Sequence, residues 1–182
     1  MVDFLKTYRQ ALFFLAMFLG LYLLLNTLYG FYIEAYYPMA DPLTILVSQQ
    51  VGTLLSWFYE DISLQVLPGL AYGTLQYKGL EVINVFEGCN GVNVMIVYLA
   101  FLFAFSGRLK STLFFLFAGL ALLYLVNLVR VFLLFQISLH FPQQLYFFHK
   151  YFFTGILYLF VFALWFAWVK RVKKEKTTAH AA

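Results

Sequence analysis

The chain has one cysteine, Cys89, in 182 residues, which excludes an internal disulfide and any metal site built from paired thiolates. Charge is almost as scarce. Asp, Glu, Lys and Arg together make up 11% of residues, far too few to cover the surface of a soluble domain of this length. There are three histidines, and neither an internal repeat nor a low-complexity tract beyond the basic tail Val169 to Lys176. In place of charge the chain carries 64% hydrophobic and 22% aromatic residues, the composition of an integral membrane protein. The net charge of +4 falls mostly at the ends of apolar runs instead of forming a patch, so it reads as membrane topology and not as a nucleic-acid signal.

About 20 apolar residues are needed to cross roughly 30 Å of hydrocarbon. Four uncharged or nearly uncharged stretches meet that length, at about 10–33, 90–107, 111–138 and 150–170, the third interrupted only by Arg130. A fifth segment, 42–59, carries Thr44, Ser48, Gln49, Gln50, Thr53 and Ser56 and reads as an interfacial or re-entrant helix. Lys6, Arg9, Arg108, Lys110 and the run Lys170 to Lys176 share one side if there are four crossings, which places both termini in the cytoplasm. Glu34, Asp41, Glu60, Asp61, Glu81 and Glu87 then lie outside. Counting 42–59 as a crossing would put Arg108 and Lys110 outside, so four fits better than five. The first stretch is long for the apolar part of a signal peptide, and no small-x-small cleavage site follows it, so it reads as a retained anchor.

Between 60 and 87 the texture changes to alternating and β-branched residues punctuated by Pro68-Gly69, Gly73 and Gly79, which predicts a small extracytoplasmic β-hairpin or sheet. The expected fold is an all-α polytopic membrane protein, a single domain over 1–182, with four transmembrane helices, the interfacial or re-entrant helix and the hairpin.

On this topology the unusual residues can be placed by depth. Cys89 precedes the second crossing at its outer end, in Glu87-Gly88-Cys89-Asn90-Gly91. Asn90 is a candidate helix N-cap, and the helix's positive end would favour thiolate over thiol. A lone cysteine is also commonly plain core packing. Arg130 lies 19 positions beyond Ser111, or about 28 Å along a helix that begins at the cytoplasmic surface. Such a guanidinium either marks a site or snorkels to the outer interface. Asn127, one turn earlier, is placed to hold it. His140 and His149 are both candidate bases at the outer side, whereas His180 is on the cytoplasmic side. One thiol and one imidazole, joined at best by Glu87, fall short of a closed metal set.

These residues carry a family resemblance. Glu87-Gly88-Cys89-Asn90-Gly91 resembles the cysteine box of the exosortase and archaeosortase membrane transpeptidases, Asn127-Leu128-Val129-Arg130-Val131 resembles their Asn-x-x-Arg box, and His149 before an aromatic-rich helix resembles their histidine box. The three occur in the family's order over about residues 80–170, and the Asp41-Pro42 and His149-Lys150-Tyr151 contexts are most like the type F branch. Asn90 stands where many members carry Ser, and the chain lacks several N-terminal crossings of larger members.

The resemblance implies a cysteine protease and transpeptidase of the bacterial cytoplasmic membrane, needing no cofactor. Its partners would be exported proteins whose C-terminal sorting signal joins a short motif, a transmembrane helix and a basic tail. Cys89 would be the nucleophile, His149 the acid and base, and Arg130 the oxyanion partner, supported by Asn127, Asn90 and Glu87. Water, a lipid-linked group or a glycan would resolve the thioester. The competing class is a non-catalytic membrane assembly or lipid-binding subunit that uses the same polar pocket.

Overall fold

The structure, a computed structural model, describes residues 8–105 and 107–180. Lys6, used above to orient the first crossing, lies outside the described residues, as do the side chains of Lys176 and His180.

Helix α1 spans Arg9–Tyr36 and buries none of its residues. It packs along α3 (Val92–Ala104), for example Phe14 edge-on against Phe101 with ring centroids 5.5 Å apart. Helix α2, Pro42–Ser56, starts where the sequence signals a start: Asp41 Oδ1 accepts from the Leu43 and Thr44 amides, and Pro42 occupies the first turn. Thr44, Val47, Ser48, Val51 and Leu55 recur at helical spacing and form its one buried face. The expected interfacial helix is therefore amphipathic, and its buried stripe faces protein.

That stripe lies on a sheet. Strands β1 (Ile62–Val66), β2 (Tyr72–Tyr77) and β3 (Leu80–Phe86) are antiparallel in the order β1-β2-β3. The expected hairpin thus has a third strand, because the Pro68-Gly69 stretch turns the chain back before the tight Lys78-Gly79 turn, whose two residues have φ of 52° and 76°. Val47, Val51, Leu55, Leu75 and Val85 form one core together with Cys89, Leu128, Val131 and Phe135.

Helix α3, Val92–Ala104, has 13 residues, or about 20 Å of helix. Helix α4 runs Leu109–His140. A continuous helical stretch follows, with α5 (Leu145–Phe147) and α6 (Phe153–His180) joined by a π-helical turn, Phe148–Phe152. Among the described residues, three helices are by length and composition sufficient to cross a membrane: Arg9–Tyr36, Leu109–His140 and Pro142–Glu175. The expected crossing at 90–107 is shorter, because Gly91 in a left-handed conformation delays its start and Phe105 leaves helical geometry. The chain is a helical membrane protein carrying a small sheet.

A second core, separate from the first, joins Tyr98, Leu102, Leu123, Val161, Trp168 and Val172. Two polar groups there are closed locally, since Tyr98 Oη donates to Phe115 O at 2.6 Å and Trp168 Nε1 donates to Phe105 O at 3.0 Å, whereas Trp165 Nε1 beside them has no hydrogen-bond partner. Gly119 makes the first of these possible, since a Cβ there would lie 2.2 Å from Tyr98 Oη.

Candidate active site

Strand β3 runs straight into a single 3₁₀ turn, Glu87–Cys89, and then through Asn90 and Gly91 into α3. This strand-turn-helix junction carries Cys89 just past the end of the sheet, 4% exposed. Gly91 has φ of 82°, and a Cβ there would meet Asn127 at 2.9 Å, so both the turn and the close approach of α4 require glycine.

Two asparagines hold the junction. Asn127, fully buried on α4, donates from Nδ2 to Cys89 O at 2.8 Å, and its Oδ1 accepts from Arg130 Nη1 at 3.4 Å. The predicted link between Asn127 and Arg130 is thus present, and the same side chain also grips the cysteine backbone. Asn90 accepts from the Val92 amide at 3.0 Å through Oδ1 and donates from Nδ2 to Tyr29 Oη at 2.7 Å and Thr44 Oγ1 at 3.3 Å. The formal N-cap is Gly91, so Asn90 caps from one residue outside the expected place, as an Asx turn. Thr44 Oγ1 in turn donates to Asp41 Oδ2. Tyr29, Thr44 and Asp41 therefore support the site, and sequence reasoning missed all three as site residues. Asp41-Pro42 entered only as a context of the resemblance, and nothing local says that this stretch packs on Cys89.

His149 lies on the π turn, with Nε2 3.5 Å from Cys89 Sγ. Thr154 Oγ1 donates to His149 O at 3.2 Å, five residues back, consistent with the widened turn. Phe86 tilts against the imidazole, 6.2 Å between ring centroids. His140 is elsewhere: its Nε2 is 3.4 Å from Tyr59 Oη, at the end of α4. Geometry thus pairs Cys89 with His149, a choice that sequence left open.

Arg130 is 7% exposed, and its Nε has no hydrogen-bond partner. Among the described residues the one ion pair is Arg171 with Glu175, so no carboxylate answers the Arg130 charge. The Glu87 carboxylate makes neither a hydrogen bond nor an ion pair among the described residues, and its charge reaches Cys89 only through space. Burial pushes the Cys89 thiol up from its ordinary pKa, and Glu87 adds to this, while the Arg130 charge and a hydrogen bond from the Phe86 backbone pull it down. The net direction is upward, set first by desolvation.

Beside Cys89 and His149 opens a cavity of about 600 Å³ lined by these two, by strand β3 and by residues around Pro142; Arg130 lines a separate apolar cleft between α4 and α6. A thiol in reach of an imidazole, beside a desolvated unpaired guanidinium, is a set suited to nucleophilic acyl transfer. Among the described residues no group of three His, Cys, Asp or Glu side chains could hold a metal.

No curated protein and no solved structure matches the chain. The family model described as transmembrane exosortase matches residues 3–169, a stretch that contains the Cys89 turn, Asn127, Arg130 and His149. The chain belongs to the transmembrane exosortase family.

Proposed function

We propose that this protein is a membrane cysteine peptidase and transpeptidase acting on exported proteins with a C-terminal sorting signal. The observation that carries the reading is the 3.5 Å approach of His149 Nε2 to Cys89 Sγ, beside an Arg130 that lacks an anionic partner. His149 takes the thiol proton as Sγ attacks the scissile carbonyl carbon. The carbonyl electrons move to oxygen, and Arg130 compensates the oxyanion. Collapse of the tetrahedral intermediate breaks the C–N bond, His149 returns the proton to the leaving amine, and a thioester remains on Cys89. Water or an amine or hydroxyl acceptor on a lipid or glycan then attacks the thioester and restores the thiol.

A raised thiol pKa suits this scheme, because proton transfer is coupled to attack instead of preceding it. Asn127 positions both reacting partners, since one amide holds the Cys89 carbonyl and the Arg130 guanidinium together. The proposed placement is the bacterial cytoplasmic membrane with both termini in the cytoplasm, α3 and its flanking residues completing a fourth passage, and the Cys89 site on the outer face. Within the family the type F branch is the proposed assignment.

The test is to follow removal of the C-terminal segment of a tagged exported protein, coexpressed in membranes with the wild-type chain or Cys89→Ala. Processing by the wild type and none by the variant is expected. Normal processing by Cys89→Ala would end the mechanism and leave the non-catalytic assembly reading.

A further inference from the structure

The cavity beside Cys89 has a feature that a nucleophile and its base do not require: six successive residues of one strand, Glu81 to Phe86, line it. Successive side chains of a strand point to opposite faces, so a cavity lying on one face of a sheet touches every second residue. Contact with six in a row means that the cavity runs along the strand's edge. That edge is open. The sheet order is β1-β2-β3, and β3 has no partner strand on its outer side among the described residues.

The two ends of the edge differ. Opposite the register shift at Leu75/Gln76, Val82 has no partner on β2, and its carbonyl accepts from Ser138 Oγ of α4 at 2.7 Å. The far end is thereby closed by α4. From Ile83 onward β3 runs without such a cap to Phe86 and then into the Cys89 turn. Val131 and Leu134 of α4 form part of the apolar lining, and Leu145, Tyr146 and His149 contribute from the segment that leads into α6.

We propose that this edge is the recognition subsite: the substrate's segment at the scissile bond binds as an added strand along β3, from about Ile83 to Phe86. The inference rests on the reading of Cys89 as nucleophile. An extended polypeptide is the occupant because the slot offers main-chain hydrogen-bonding groups in a row and ends at the thiol and imidazole. Added-strand binding draws affinity from backbone hydrogen bonds and selectivity from every second side chain. Those pointing at Val131 and Leu134 are selected for apolar character.

The edge also explains why the peptide bond arrives at Sγ in register. A strand paired to β3 is carried in a defined direction past Phe86, and its period of two residues sets which carbonyl meets Cys89.

The experiment uses the full chain in lipid nanodiscs and acetyl-Val-Ala-Val-Ala chloromethyl ketone, whose chloride the Cys89 sulfur displaces. Cys89 is the sole cysteine, and peptide mapping of the labelled chain separates its adduct from one on the neighbouring His149 imidazole. Two analogues carry N-methyl groups on alternate amides, one set each, and iodoacetamide reads the thiol without a peptide. One methylated set should alkylate about tenfold more slowly than the parent, the loss expected from one or two main-chain hydrogen bonds. The other set, whose amides point away from β3, should stay within about twofold of the parent. Equal rates for both sets, with iodoacetamide reacting, overturn edge pairing and leave the nucleophile standing. Equal rates that added lysophospholipid suppresses make the slot an acyl-chain site and overturn the proposal as well. A Cys89 that neither the peptides nor iodoacetamide alkylates overturns the nucleophile reading, and edge pairing falls with it.

Discussion

Two arginines, at opposite ends of the α4–α6 pair, show what an open polar cluster means in this molecule. Arg171 is 53% exposed, yet its Nε donates to Glu175 Oε1 at 3.1 Å and to Ser111 Oγ at 3.3 Å. Glu175 also accepts from the Arg108 amide at 3.3 Å and from the Ser111 hydroxyl, tying the end of α6 to the first turn of α4. Each of these charges has its counterpart. Arg130 is nearly buried, holds one 3.4 Å bond to an amide oxygen, and leaves Nε unpaired.

Desolvating a cation without a partner is the more costly arrangement, so stability alone would close the Arg130 cluster as it closes the Arg171 one. The deficit persists within electrostatic reach of a thiol and an imidazole, which is where catalysis would supply negative charge transiently. The closed cluster fastens two helices, and the open one leaves a buried guanidinium without a carboxylate among the described residues.

The contrast can be broken at several points. Cys89→Ala should reduce substrate processing by about a thousandfold or more, since the covalent route disappears; turnover within tenfold of wild type would remove the thiol from the chemistry. Arg130→Ala should cost about 10²- to 10³-fold in kcat, the range for losing one oxyanion partner. Arg130→Lys tests geometry against charge, and a loss of about tenfold or more is expected because the ammonium lacks the planar fork. Full activity in the lysine variant would make Arg130 a point charge only.

Thiol chemistry sharpens the comparison further. Burial raises the Cys89 pKa and Arg130 lowers it, so removing the arginine drives it still higher and shrinks the thiolate fraction at any fixed pH below it. Iodoacetamide alkylation of Arg130→Ala at pH 8 should therefore be about three- to tenfold slower than that of wild type, with the rate-pH curve displaced to higher pH. An unchanged curve would show that the two side chains are not electrostatically coupled. The smallest effect belongs to the closed cluster: Glu175→Gln should lower the thermal midpoint of the folded chain slightly while leaving processing within about twofold, as expected for a partly solvated ion pair. A large activity loss there would dissolve the distinction between the two ends.

Much of this was legible in the chain. The long apolar helices follow from uncharged stretches, the amphipathic α2 from the polar residues of 42–59, and the sheet region from alternating residues between 60 and 87. The order of the Cys89, Asn127-Arg130 and His149 boxes pointed to the family that residues 3–169 match. The shortened α3 was not legible, because hydropathy cannot tell the helical Val92–Ala104 from the apolar residues beside it that leave the helix. Nor was the π turn at His149, which a five-residue hydrogen-bonding offset defines and no residue type announces.

Sequence by itself determined that the protein lives in a membrane, which segments are helical and which few polar residues stand out against the apolar background. Those properties are local, since each depends on a residue's own solvation and that of neighbours within a few turns. Tertiary structure alone decided that His149 and not His140 meets Cys89 across 60 positions of chain, that Asn127 grips the Cys89 carbonyl, and that Arg130 is left without an anion. Such facts depend on how packed helices rotate against one another and against the sheet, and the burial that sets those rotations comes from contacts between distant segments.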